Sequence, residues 1–203
     1  MAHVILAAGG STRLGRPKQL LPLNGKTLLR RAVELGAAVG CRKIYVVLAR
    51  EDPRMLAEIR GISEAVTPVI NAQWRQGIGT SIKKGGEAAF GDLSGQSTGV
   101  DAVLFTTCDM PLIDAEFIQR LMGLCSADAP LAAAGHENGP GIPAIFGRRF
   151  ASALASLPDQ AGCKSILVEN LGRCAILPLG EKALDIDTAE DMHKLAALGP
   201  GFQ

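Results

Sequence analysis

Aromatic residues are scarce: one tryptophan, one tyrosine and six phenylalanines make up 4% of 203 residues. A stacking surface for single-stranded nucleic acid needs several aromatics along a basic groove, so that class is excluded. An excess of either charge is missing too. Lys and Arg number 21 against 20 Asp and Glu, for a formal net charge of +1. No long-range field draws such a chain to nucleic acid or to an acidic membrane. No apolar stretch approaches the roughly 20 residues of a membrane span. The first apolar run meets glycine after about five residues, unlike a secretory signal. Cys41, Cys108, Cys125, Cys163 and Cys174 are scattered, odd in number and without C-x-x-C spacing. That argues against a disulfide framework or a zinc site and for reduced thiols in a cytoplasmic protein. His3, His136 and His193 lie far apart, with no metal-ligand spacing.

What is present begins at the amino terminus. Val4, Ile5, Leu6, Ala7 and Ala8 form a strand-length apolar run that enters Gly9 and Gly10. Two residues without Cβ atoms let backbone N–H groups converge on an anion. Arg13, Arg16 and Lys18 add positive charge in the same loop. The spacing from Gly10 to Gly15 begins a Walker loop, but Arg16 and Pro17 follow where Lys and Ser or Thr are required, and the G-x-G-x-x-G fingerprint is absent as well. The segment is therefore a phosphate-loop candidate outside both standard motifs, or an ordinary charged strand-to-helix turn.

The remaining pattern alternates strands and helices. Strands are expected at 44–48, 66–70, 100–108, 130–134 and 174–179. Helices are expected at 28–39 after a Thr27 cap, 51–60, 81–89, 115–124 after an Asp114 cap, 149–157, 163–170 and from a Thr188 cap to about 198. Residues 135–143, with three glycines and two prolines, read as a loop before a short extended piece at 144–146. Most strands are continuous apolar runs, which predicts a mainly parallel sheet covered on both faces. Ligands of such sheets bind at the carboxyl ends of the strands. The opening loop, Asn71 and Asp109 all fall at such ends.

Asp109 directly follows an apolar strand. Beside a phosphate loop it can hold Mg²⁺, which takes carboxylate and phosphate oxygens. Asp185 and Asp187, two apart in an extended segment, share a face; either can join Asp109 on the metal, unless Asp187 only caps the last helix. Trp74 reads equally as packing or as a substrate platform. Lys83 and Lys84 read as a solvated helix face, Arg148 and Arg149 as a surface pair, and Cys108 as a small buried filler.

Leu6 to Lys18, followed by Leu20, Leu21 and Pro22, resembles the signature of MobA-like nucleotidyltransferases. The nearer likeness is to molybdenum cofactor cytidylyltransferases, whose loop reads like L-A-A-G-x-S-x-R-M-G-x-x-K. Asn71, Trp74, Gly77 and Ser81, then Cys108 to Leu112, then Asp185 to Asp191, match in the family's order. The resemblance implies one MobA-like domain over 1–203, a nucleotide-binding half of about 1–112 and an acceptor-binding half of about 113–203. It implies a three-layer, Rossmann-like α/β sandwich of the glycosyltransferase-A type with a mostly parallel mixed sheet. The implied activity is Mg²⁺-dependent transfer of a nucleoside monophosphate, from CTP in preference to GTP, to molybdopterin or molybdenum cofactor. Leu6, Ala7, Ala8, Gly9, Gly10, Arg13 and Lys18 would hold the triphosphate. Asn71 and Ser81 would lie near base and ribose. Asp109, with Asp187 or Asp185, would hold the metal. A molybdoenzyme or its maturation factor is an implied partner. The second half departs from the cytidylyltransferase pattern. Pro140-Gly141-Ile142-Pro143 stands where R-G-H-P is usual, and Gln160 and Lys164 replace an acid and an arginine. A sugar- or polyol-phosphate acceptor, and a non-catalytic cofactor carrier, are the alternatives.

Overall fold

Apolar side chains on alternate residues of β1 (Ala2–Leu6) point to opposite faces of a sheet, and both faces are buried. The computed structural model describes residues 1–11, 14–91 and 98–197. After β1 comes a small hairpin, β2 (Pro22–Leu23) and β3 (Lys26–Thr27), then α1 (Leu28–Ala38), β4 (Lys43–Leu48), α2 (Pro53–Ile59) and β5 (Val66–Ile70). Helix α3 (Ile78–Phe90), β6 (Ala102–Thr107) and α4 (Ala115–Leu124) follow. The chain closes with β7 (Leu131–His136), β8 (Gly139–Gly147), α5 (Ala151–Ala155), α6 (Lys164–Glu169), β9 (Cys174–Pro178) and α7 (Ala189–Ala197).

Seven strands form one sheet in the order β5-β4-β1-β6-β8-β7-β9. Strand β8 runs antiparallel to both its neighbours, and the other pairings are parallel. Helices α1, α2 and α4 cover one face, packing Leu29, Val33, Ile59, Phe117 and Leu121 against Ile5, Ile44, Val46 and Leu104. Helices α3, α5 and α6 cover the other, packing Ile82, Phe90, Leu154 and Leu167 against Val4, Val47, Val103 and Phe105. The result is the expected three-layer α/β sandwich with a mostly parallel mixed sheet.

Caps fall where the side-chain chemistry predicts. Thr27 Oγ1 accepts from Arg30 N at 3.1 Å, and Asp114 Oδ1 from Phe117 N at 2.9 Å. At α7, Thr188 Oγ1 accepts from Asp191 N at 3.3 Å while the Asp191 carboxylate accepts from Thr188 N at 2.8 Å. These reciprocal bonds satisfy donors that have no partner inside the helix.

The expected loop at 135–143 is instead a hairpin. His136 pairs with Gly139, Gly135 with Pro140 and Ala134 with Gly141, extending β8 to nine residues. Gly and Pro lower local strand propensity, but pairing with β7 overrides it. A Cβ on Gly141 would stand 2.9 Å from the His136 ring, so a side chain there would displace that ring. Helix α3 begins three residues before the expected start. Gly79 and Gly85 weaken a helix locally. In the fold they permit contacts a side chain would block: a Cβ on Gly85 would lie 2.3 Å from Val4 Cγ1, and one on Gly79 would lie 2.2 Å from Pro158 O.

Candidate functional site

The carboxyl ends of β1, β4, β5 and β6 open at one edge of the sheet, so the segments after them meet there. Backbone of Ala7 to Gly9 leaves β1 and forms one wall of a cleft of about 230 Å³. Lys18, Gln19, Trp74, Ser81 and Asp109 complete it. A neighbouring hollow of about 500 Å³ shares Ala7, Gly9, Gln19 and Trp74 and adds Gly10, Arg50 and Arg75.

Lys18 is the centre of the charge arrangement. Its ammonium donates to Asp109 Oδ2 and to Asp187 Oδ1, the latter at 2.8 Å. Lys18 and Asp109 are each 15% exposed and Asp187 is 43% exposed. Burial disfavours the ammonium, but the charge and hydrogen bond of Asp109, then those of Asp187, outweigh it and hold the Lys18 pKa above its usual value. Among the described residues Asp109 Oδ1 is buried with no hydrogen-bond partner. Such an oxygen is a ready cation ligand.

Residues distant in sequence reach this point through specific backbone contacts. Ile186 N donates to Asp109 O at 2.9 Å, and the Ile186 side chain is fully buried. That anchor sets Asp185 and Asp187 beside Asp109. Because Thr188 and Asp191 cap α7, the Asp187 carboxylate is directed to Lys18 instead. Asp185 remains exposed. Its pKa is raised, first by partial desolvation and then by the charge of Asp109, with Asp187 adding to it against His136 and Lys18. Among the described residues no group of three or more His, Cys, Asp and Glu side chains has a metal-holding arrangement. A cation at Asp109 and Asp187 would thus draw further ligands from substrate and water.

Asn71 and Ser81 are placed differently from each other. Asn71 is 1% exposed, and its amide donates to Thr80 Oγ1 and Ser81 Oγ, both at 2.9 Å. It orients Ser81, which lines the cleft. Arg13 lies outside the described residues. Trp74 stands on the cleft wall with the Arg75 guanidinium 4.7 Å from its ring centroid. Lys83 pairs with Asp159. Arg148 donates to Val100 O and Phe90 O, so it ties the segment before β6 to the end of α3. Cys108 is 5% exposed, and burial followed by the Asp109 charge pushes its thiol up to about 12.

Gln19 is a site residue that sequence patterns did not single out. It is 2% exposed, and its amide donates to Ala7 O at 2.7 Å and Gly9 O at 2.9 Å. Ser11 Oγ accepts from Lys18 N at 2.9 Å. Together these bonds fix the glycine turn to the short helical turn that carries Lys18. An isolated glutamine has no spacing signature; only its burial among backbone carbonyls reveals the brace.

The profile of the MobA-like NTP transferase domain matches residues 3–174. The chain belongs to this family. Membership makes it a nucleotidyltransferase by domain, with the glycine loop of β1 inside the matched region. Among curated relatives, nicotine blue oxidoreductase of Paenarthrobacter nicotinovorans is 29% identical, over 95% of this chain and 94% of its own. The bifunctional protein GlmU of Bifidobacterium longum subsp. infantis is 33% identical over 60% of this chain, a match spanning 26% of that longer protein. Among solved structures, Rv0371c from Mycobacterium tuberculosis H37Rv superimposes with a TM-score of 0.76 at 23% identity, covering 97% of this chain and 98% of its own. This MobA-like chain therefore shares its architecture with that protein and its domain type with the family.

Proposed function

We propose that the chain transfers a nucleoside monophosphate from a nucleoside triphosphate, CTP by preference, to a phosphorylated acceptor, with molybdopterin or molybdenum cofactor as the favoured acceptor. Pyrophosphate leaves. The observation that carries this reading is Lys18 between Asp109 and Asp187 at the end of a glycine turn, with one Asp109 oxygen buried and unpartnered.

The backbone from Leu6 to Gly10, including Ala7 and Ala8, cradles the triphosphate, with charge from Lys18 and Arg13. Ser81, oriented by Asn71, faces the nucleoside. Asp109 and Asp187 would hold Mg²⁺, with Asp185 as the nearby third carboxylate. When bound, the metal supplies positive charge at phosphate oxygens. Lys18, at the end of the glycine turn, would supply positive charge to a phosphate. The acceptor is already an anion, so the site requires no strong base. Its task is in-line alignment and neutralisation of charge. The acceptor half is 113–203 of a single domain. The free thiols suit a cytoplasmic protein.

The test is pyrophosphate release from each common ribonucleoside triphosphate, with molybdopterin and with sugar and polyol phosphates as acceptors. CTP with molybdopterin should give turnover, and Asp109→Ala should abolish it while the circular dichroism spectrum is kept. Near-normal release by that variant would sink the assignment. Tight cofactor binding without release would instead support a carrier. The near full-length match to an oxidoreductase favours one second reading, a redox enzyme. It would show as transfer of two electrons from a reduced pyridine nucleotide to an added quinonoid dye, insensitive to Asp109→Ala.

A further inference from the structure

The α1 face of the sheet holds a second crevice, of about 330 Å³, between α1 and the segment that follows β6. Leu28, Ala32, Leu35, Met110 and Ile113 give it an apolar wall. Lys26, Arg31, Glu34 and Asp114 supply its charged groups. Most of these charges are already compensated. Glu34 is shared by Lys26 at 2.7 Å and Arg30 at 3.2 Å, and Asp114 pairs with Lys182. Among the described residues Arg31 enters no such pair, and its Nε is buried without a hydrogen-bond partner there. The crevice floor is closed beneath by Thr106, whose Oγ1 bonds His3 Nε2 at 2.7 Å.

A buried guanidinium N–H without an acceptor is uncommon in a native fold. A carboxylate would match its planar fork. The Arg31 guanidinium fits a negative charge, and the apolar wall fits a hydrocarbon body. The volume lies at the small end of ligand pockets. Cys108 lines this crevice and also the cleft at the carboxyl ends of the strands. Asp109 is the next residue. Material seated against Cys108 and Met110 therefore touches both neighbours of the carboxylate that pairs with Lys18.

We propose that this crevice is a second binding site, for a small carboxylate with an apolar body, and that its occupancy acts on Asp109. Binding stands apart from nucleotidyl transfer; only the effect on turnover rests on that reading.

The experiment titrates the full chain with phenylacetate by calorimetry, using neutral phenylacetamide as the control, each with and without CTP. Saturable phenylacetate binding is expected, with none for phenylacetamide and no displacement by CTP. Arg31→Met should weaken binding at least tenfold and leave transfer without phenylacetate unchanged. Arg31→Lys, which keeps charge and stem, should weaken it by less and decides the matter if Arg31→Met does not fold. Equal binding by Arg31→Lys and Arg31→Met variants and the parent chain, displacement by CTP, or no saturation in the millimolar range would each overturn the site. So would sedimentation showing that a second copy of the chain covers α1. Saturating phenylacetate should also alter the rate of pyrophosphate release without raising KM for CTP. An unchanged rate in the presence of proven binding would overturn the coupling to Asp109.

Discussion

Lys18 satisfies two carboxylates at once, and that makes it the residue on which the cleft's electrostatics turn. Lys18→Met removes the ammonium that Asp109 and Asp187 share and, on the proposed reading, a donor to the phosphates. Loss of one such charge-stabilising group is expected to reduce kcat by about 10²–10³, read from initial rates of pyrophosphate release. His3 makes a separate prediction about stability. Burial alone lowers its pKa from 6.5 to about 3. The unfolded chain therefore takes up a proton near pH 6.5 while the folded chain does not. This stabilising contribution is complete above that value and is lost as pH falls below it. Urea titrations at about pH 7 and pH 5 should differ by about 2 kcal/mol from this histidine. His3→Gln should show a smaller difference between the two conditions; an equal difference would assign the acid sensitivity to other groups.

Helix α3 illustrates how an element answers to its neighbours rather than to its own sequence. Gly77 has φ of +135°, and a Cβ there would meet Asp159 O at 2.2 Å. Gly79 N donates to Asp159 O at 2.9 Å. Residues 158–161 thus rest backbone to backbone on the first turn of the helix. Neither backbone has a flexible side chain that could move aside. Gly79→Ala is expected to lower stability by about 1–3 kcal/mol, as overpacking does, measured from the urea midpoint. It should also weaken nucleotide binding, because Ile78 and Ser81 on the same turn line the cleft. A variant with full stability and unchanged affinity would show that the loop, not the helix, adapts. The β7–β8 hairpin follows the same logic. Its glycines and prolines resemble a loop in isolation, and the strand exists because β7 offers a paired edge.

Across the molecule, parallel strands β5, β4, β1 and β6 place four carboxyl ends side by side. That arrangement brings residues 18, 109 and 187 into one charge cluster. Ligand binding should therefore stabilise the whole fold. At a hundred times Kd the gain is about 2.7 kcal/mol, or about 5–10 °C for a chain of this size. Thermal unfolding with CTP and Mg²⁺ should show this shift. It should shrink with a chelator present and in Asp109→Ala. The same shift with chelator would mean that nucleotide binding does not use the two carboxylates.

Local chemistry determined much of this protein. Apolar runs of strand length, separated by capped amphipathic helices, pointed to a mainly parallel sheet covered on both faces, because helices on both sides bury both faces of such strands. The glycine turn and Asp109 were placed at strand ends by adjacency in the chain alone. Three things needed the tertiary structure. Asp187 faces Lys18 because Ile186 is anchored to Asp109 and because Thr188 and Asp191 take over the cap of α7. Gln19 becomes a brace only when the carbonyls of Ala7 and Gly9 come within reach. Strand β8 forms against β7 despite its own propensity. In each case the deciding energy comes from partners brought together by folding, and short-range patterns hold no record of them.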